Sequence, residues 1–219
     1  FDKYKKSKTK DPESFVIVTN NATHARGAKK GIELGQLYAK AAIFARELVN
    51  TPGEHMKPVD LVKAAKNISK DEGSIKLKIF DQEKLEKMGA GGLLAVNQGS
   101  DHEPYLVHMT YKPTGKAKKK ICLVGKAVTF DSGGLSLKPS NCMETMKIDM
   151  AGSAAVLGVF SAIAKLAPKA EVHGIFGAVE NMPSGKAIRP GDVVTALNGK
   201  TIEILNTDAE GRVTLADTL

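Results

Sequence analysis

No charged residue interrupts the chain from Met150 to Ala164, between Asp149 and Lys165. A run of that length with no polar face reads as a helix buried on most sides. It is shorter than the ~18–20 apolar residues that cross a bilayer, so a core helix is expected rather than a membrane span. Such a helix needs a sheet and other helices around it, which already narrows the fold.

The flanking sequence supplies them. Phe15 to Thr19 is a short β-type run ended by Asn20-Asn21. From Gly27 to Val49, Ile32, Leu37, Ala41, Ile43 and Leu48 recur at helical spacing, and Pro52-Gly53 closes the pattern. Pro58 opens a second helix, carried by Leu61, Val62, Ala65 and Ile68 and ending near Gly73. Ile75, Leu77 and Ile79 alternate with Lys76, Lys78 and Phe80 as a strand, and Asp81 caps a short helix through Met88 that Gly89 terminates.

Leu106 to Tyr111 and Lys120 to Gly125 read as strands, Met150 to Ala167 as the long helix, and Glu171 to Val179 as a further strand. Val193 to Leu197 and Thr201 to Leu205 flank Asn198-Gly199, a pair suited to a two-residue hairpin turn. Strands alternating with helices predict an α/β fold, a mixed central sheet flanked by helices. Ligands of such sheets bind beyond the carboxyl ends of the strands.

With 219 residues, 42% of them hydrophobic, the chain has enough apolar material for one large domain, or one domain with part of another. Its net charge of +8 raises the question of a nucleic-acid partner. The excess sits in two places: residues 1–10 hold five Lys and one Asp, and residues 115–120 hold four Lys and no acid. The remainder is neutral, so two solvated lysine clusters are expected and nucleic acid is not. Two cysteines, Cys122 and Cys142, make no disulfide framework and fit a reducing, cytoplasmic compartment. The first residues carry no apolar signal region and do not begin with Met, which reads as a soluble chain that starts inside a longer protein.

Three segments place carboxylates where the sheet would deliver a ligand: Val124 to Gly134, Met146 to Asp149, and Asn206 to Arg212. If Asn206 to Glu210 is extended, Asp208 and Glu210 share a side. Asp131, Asp149, Asp208 and Glu210 then converge from three segments. Unneutralised they would repel, since like charges ~4 Å apart cost about 4 kcal/mol at an effective dielectric of ~20. Two divalent cations would balance the four charges.

Each acid alone has an ordinary explanation: Asp149 as a helix cap, Asp208 as an Asx turn. Those explanations leave out Lys126 and Lys138, which flank Asp131 in an otherwise apolar, glycine-rich stretch. A lysine amine binds a metal only when neutral, so a dication beside it must lower its pKa far below ~10.4. Gly125-Lys126 lacks the rest of a phosphate loop. Asp131-Ser132-Gly133-Gly134 resembles the nucleophile segment of trypsin-like proteases, but Phe130 replaces the glycine and no Ala-Ala-His-Cys precedes it. The five histidines form no His-Glu-x-x-His, so any metal here takes mostly oxygen ligands.

Taken together, Asn206-Thr207-Asp208-Ala209-Glu210-Gly211-Arg212 and Gly125-Lys126 with Thr129-Phe130-Asp131-Ser132-Gly133-Gly134 resemble the two hallmark segments of the leucyl aminopeptidase family, the two-metal cytosolic type. Similarity extends over Asn50-Thr51-Pro52, Asn97 to Ser100, Met146 to Gly152, Glu180-Asn181-Met182 and Arg189 to Asp192. The resemblance implies an aminopeptidase catalytic domain, incomplete at its C-terminus: residues 1–26 as the end of an N-terminal domain, 27–50 as a connecting helix, and 51–219 as the first part of the catalytic domain.

It further implies that Lys126, Asp131, Asp149 and Glu210 bind one metal and Asp131, Asp208 and Glu210 the other, zinc or manganese. Lys138 would be the catalytic lysine and Arg212 the catalytic arginine holding a bicarbonate base. Met146 and Ala209 would line the pocket for the substrate's first side chain. Peptide substrates of leucine type and a homohexamer follow from the same likeness. Ala127 stands where the family has glycine. The competing expectation is a non-catalytic relative with an assembly or DNA-binding role.

Overall fold

The computed structural model describes residues 4–6, 10, 12–71 and 73–219. Of the first lysine cluster, Lys3 and Lys8 lie outside the described residues. Lys116, Lys118, Lys119 and Lys120 of the second are exposed, the first three in a loop and Lys120 at the start of the strand that follows.

Asn21 accepts the His24 N–H at 2.8 Å and so starts α1 (Ala22–Asn50). Pro58 opens α2 (Pro58–Asp71), which buries Leu61, Val62, Ala65 and Ile68. After β1 (Ile75–Phe80), the Asp81 carboxylate accepts the Lys84 N–H to cap α3 (Gln82–Met88), and Gly89 at φ 76° ends it. Then follow α4 (Gly91–Asn97), β2 (Tyr105–Tyr111), β3 (Lys120–Asp131), α5 (Ser140–Met143), α6 (Ala151–Leu166), β4 (Glu171–Asn181), the ribbon β5 (Val193–Thr195) with β6 (Thr201–Glu203), and α7 (Glu210–Thr218).

The main sheet has the order β1-β2-β4-β3, with β3 and β4 parallel and the other pairs antiparallel. Two apolar layers cover it. On one face Leu61, Val107, Met109, Leu157, Phe160 and Phe176 pack beneath α1, α2 and α6; on the other Leu85, Leu93, Leu106, Val128, Val179 and Val213 pack beneath α3, α4 and α7. This is the mixed α/β sheet flanked by helices that the alternating pattern predicts.

The charge-free run becomes α6. Its Ala154, Val156, Leu157, Phe160, Ala162 and Ile163 are buried, while Ala151, Ala155 and Val159 form an exposed stripe, so burial is wide but not complete. By length and composition alone Ser140–Leu166 reaches the span of a membrane helix. It is divided into α5, a 3-10 turn at Met146–Ile148 and α6, and half of its most apolar window is buried in the fold. The start of α6 lies directly on β3: a Cβ on Gly125 would stand 2.6 Å from the Gly152 backbone, so only glycine permits this approach.

Several expectations are corrected. Phe15 to Thr19 forms no strand; Phe15, Val16, Ile17 and Val18 are exposed, since β-propensity needs a neighbouring strand and none among the described residues pairs with it. Helix α1 seats Leu37, Ala41, Phe44, Ala45 and Leu48 at half-buried positions, leaving Ile32 and Ile43 exposed. The β5–β6 turn is a three-residue loop: Gly199 N–H bonds Ala196 O, Ala196 N–H bonds Lys200 O, and only Gly199 has positive φ. That is a type I turn closed by a left-handed glycine, so Asn198 needs no unusual backbone angle. Strands β3 and β4 both run further than their apolar patterns indicate, to Asp131 and Asn181.

Candidate metal centre

The parallel ends of β3 and β4 build the site. Because β3 continues past Gly125, Lys126 lies inside the strand and Asp131 is its last residue, paired with Asn181 after an irregularity between Val128 and Asp131. The chain then turns through Gly133 and Gly134 at φ 87° and 64°, angles that glycine adopts without strain. This turn aims the Gly133 N–H at Asp131 Oδ1 (2.9 Å) and brings the Lys138 N–H back to Ser132 O (2.9 Å). Lys138 Nζ consequently lies 3.0 Å from Asp131 Oδ2 and against Asp208 Oδ1.

Asp149 follows the 3-10 turn at Met146–Ile148. It does not cap α6, which begins after Met150 with no side-chain cap; its Oδ2 sits 2.6 Å from Lys126 Nζ instead. Nor does Asp208 make the Asx turn: Asn206 Oδ1 accepts the Asp208 N–H at 2.8 Å. A 3-10 turn, Thr207–Ala209, leads into α7, whose first residue is Glu210. The segment is therefore helical rather than extended, yet both acids still reach the site. Glu210 Oε1 lies 2.7 Å from Lys126 Nζ.

Asp131, Asp208 and Glu210 each offer a carboxylate oxygen within 4.8 Å of the others, with Asp131 and Glu210 only 2% and 3% exposed. Four carboxylates face two ammonium groups, which leaves two negative charges uncompensated. Burial holds the Asp149 and Glu210 carboxyls above their ordinary range, against the pull of Lys126. Burial lowers the two lysines, but their carboxylate partners outweigh it and hold both raised. Asp149 Oδ2, Asp208 Oδ1 and Glu210 Oε2 are buried without a hydrogen bond of acceptable geometry; lysines face the first two by charge alone, and Lys126 meets Glu210 through Oε1 instead. Converging, incompletely satisfied oxygens beside one amine fit a hard or borderline divalent cation. Lys126 would join as a ligand only on giving up its proton.

Thus Lys126, Lys138, Asp131, Asp149, Asp208 and Glu210 meet in one place. Arg212 is exposed on α7, about 200° around the helix from Glu210, and forms no ion pair among the described residues. Met146 and Ala209 are half-buried on the turns that carry Asp149 and Asp208. Ser132 Oγ donates to Asn181 O and accepts from Gly134 N–H, a turn-building role. Ala127 is a core residue in β3 without a positive φ, so the strand accommodates its methyl group.

Two residues not singled out individually are central to the geometry. Thr207 Oγ1 donates to Gly133 O (2.6 Å) and accepts from the Ser136 N–H (2.8 Å), tying the two acidic segments together. Asn181 does the same from β4. Their signal was adjacency: Thr207 precedes Asp208, and Asn181 stands two residues past the visible end of an apolar strand.

Residues 43–219 match the sequence profile of the cytosol aminopeptidase family, catalytic domain. A probable cytosol aminopeptidase of Aquifex aeolicus is 51% identical over 219 residues, all of this chain and 43% of that protein. One from Persephonella marina is 45% identical over 219 residues, covering 44% of its length. One from Gloeothece citriformis is 51% identical over 194 residues, 88% of this chain and 39% of that protein. The chain therefore spans about two fifths of the length of these relatives.

Proposed function

Because the chain belongs to the cytosol aminopeptidase family, we propose that it carries the metal-binding half of an aminopeptidase that releases N-terminal amino acids, leucine among them, from peptides. The observation that carries this reading is the convergence of Asp131, Asp208 and Glu210 within 4.8 Å, with Asp149 joined to Glu210 through Lys126. In this reading Lys126, Asp131, Asp149 and Glu210 hold one divalent ion, zinc or manganese, and Asp131, Asp208 and Glu210 hold a second. When bound, such a pair supplies Lewis-acid polarisation and a water of lowered pKa.

The chain's own residues do the rest. Lys138, which its two carboxylate partners keep protonated, presents a fixed positive charge at the mouth of the cluster. A donor of this kind facing an oxyanion is worth ~3–4 kcal/mol in the transition state. Arg212, free at the surface of α7, offers a planar fork for a small oxyanion such as bicarbonate. Met146 and Ala209 border the side-chain pocket. A hexamer, a cytoplasmic location, and the division at residues 26 and 50 belong to the same proposal. No observation favours the non-catalytic or DNA-binding alternative.

The test is hydrolysis of leucine p-nitroanilide by the complete protein with added Mn²⁺ or Zn²⁺. Activity should vanish with chelator and in Asp208→Asn and Glu210→Gln variants that still fold. A folded, metal-loaded protein without turnover overturns the proposal.

A further inference from the structure

We propose that Asn181 is a positioning residue that holds Asp131 and the Thr207–Glu210 segment at the separation a bound cation requires. The inference rests on the aminopeptidase reading and assigns a role to a residue outside its ligand set. Asn181 is 2% exposed at the end of β4. Its Nδ2 donates to Asp131 Oδ1 at 2.8 Å and to Thr207 O at 3.1 Å, so both amide protons are used and each goes to a different acid-bearing segment. The reverse amide orientation would set an oxygen against two acceptors, which fixes the direction of the bonds.

The consequence falls on Asp131. Its Oδ1 already accepts the Gly133 N–H, and with Asn181 it accepts two hydrogen bonds on the sheet side. That leaves Oδ2 as the atom presented to Lys138. Hydrogen bonds from the Ser132 N–H and the Ser132 hydroxyl to Asn181 O lock the residue in place from the other side. Glycine at 134 keeps the amide uncrowded, since a Cβ there would stand 2.9 Å from Asn181 Oδ1. Asn181 thus bridges two segments that share no covalent neighbour, and outer partners of ligating carboxylates commonly set metal affinity by 10–100-fold.

The experiment titrates Zn²⁺ into the complete protein against a chromophoric chelator, with thermal unfolding in EDTA measured in parallel. Asn181→Leu removes both donors at similar volume and should weaken Zn²⁺ by about 10–100-fold. Asn181→Ser, too short to reach either partner, should do the same and serves if the leucine variant does not fold. Val179→Ala thins the core beneath the same strand; it should lower the melting temperature while leaving Zn²⁺ affinity within about twofold. Wild-type affinity in both Asn181 variants overturns the role, as does equal weakening by Val179→Ala. A wild-type protein that takes up no Zn²⁺ overturns the aminopeptidase reading, and this role with it.

Discussion

Asp217 Oδ2 accepts the Leu93 N–H at 2.9 Å, while its Oδ1 accepts the Leu197 N–H at 2.7 Å. One buried carboxylate on the last turn of α7 therefore secures the start of α4 and the β5–β6 ribbon to the helix that begins with Glu210. Asp217→Ala leaves the Leu93 and Leu197 N–H groups without that acceptor. Hydrogen bonds to charged groups contribute ~1.5–3 kcal/mol each, so the variant should lose about 3 kcal/mol in urea unfolding. A loss under about 1 kcal/mol would show that water replaces the carboxylate.

Lys126 stands between Asp149 and Glu210, so Lys126→Met should destabilise the protein in EDTA. Breaking a buried ion pair costs ~3–5 kcal/mol; with the lysine side chain 30% exposed, about 2 kcal/mol is expected. Added Mn²⁺ should raise the melting temperature of the variant more than that of the wild type, because the cation then relieves a larger repulsion. Equal shifts in the two proteins would count against the charge balance described above.

A second polar cluster predicts pH dependence. His108 Nε2 lies 2.8 Å from His173 Nδ1, whose ring bonds Glu171 through Nε2 at 2.9 Å. Burial, then His173 and Lys78, hold the His108 pKa below its ordinary 6.5. The folded state thus resists a proton that the unfolded chain accepts, so this contribution is present above about pH 6.5 and is lost as pH falls through the lowered value. Unfolding midpoints between pH 8 and 5 should show the decline in wild type and a flatter profile in His108→Gln.

Gly125→Ala should be poorly tolerated, since the new Cβ meets the Gly152 backbone at 2.6 Å rather than a movable side chain. Overpacking of this kind costs ~1–3 kcal/mol. It should also separate β3 from the start of α6, weakening Zn²⁺ uptake through Asp149. Ala127→Gly, two residues on, should lower stability without affecting the metal.

Much of this was legible from residue patterns. The charge-free run, the Asp81 and Gly89 helix limits and the alternation of β1 are each decided by local chemistry, and the structure follows them. The four acids are legible because they stand at strand and helix ends where a sheet delivers a ligand, and Lys126 and Lys138 because no ordinary role accounts for two lysines flanking Asp131. What stayed hidden depends on partners distant in sequence. Phe15 to Thr19 has strand composition but no strand beside it. Helix α7 was hidden by Glu210, whose short-range spacing from Asp208 suggested an extended segment. Asn181 was hidden because β4 continues past Val179 through Glu180, a buried acid held by Ser100 at 2.6 Å, which no alternation of apolar residues would announce.

Among the described residues, helix α1 is held chiefly at its C-terminal end. Its last turns rest on α6, where Gly158 lies close to Ala41 and Ala45, and Lys147 Nζ fastens to Asn50 O at 2.8 Å on the turn leading to Asp149. From Ala22 to Lys40 the rod extends about 28 Å at 1.5 Å per residue, with most of its surface in solvent. It is a cantilever clamped at the end nearest the acidic cluster: anything borne at its far tip is kept at a set reach by helical stiffness, not by a slack tether.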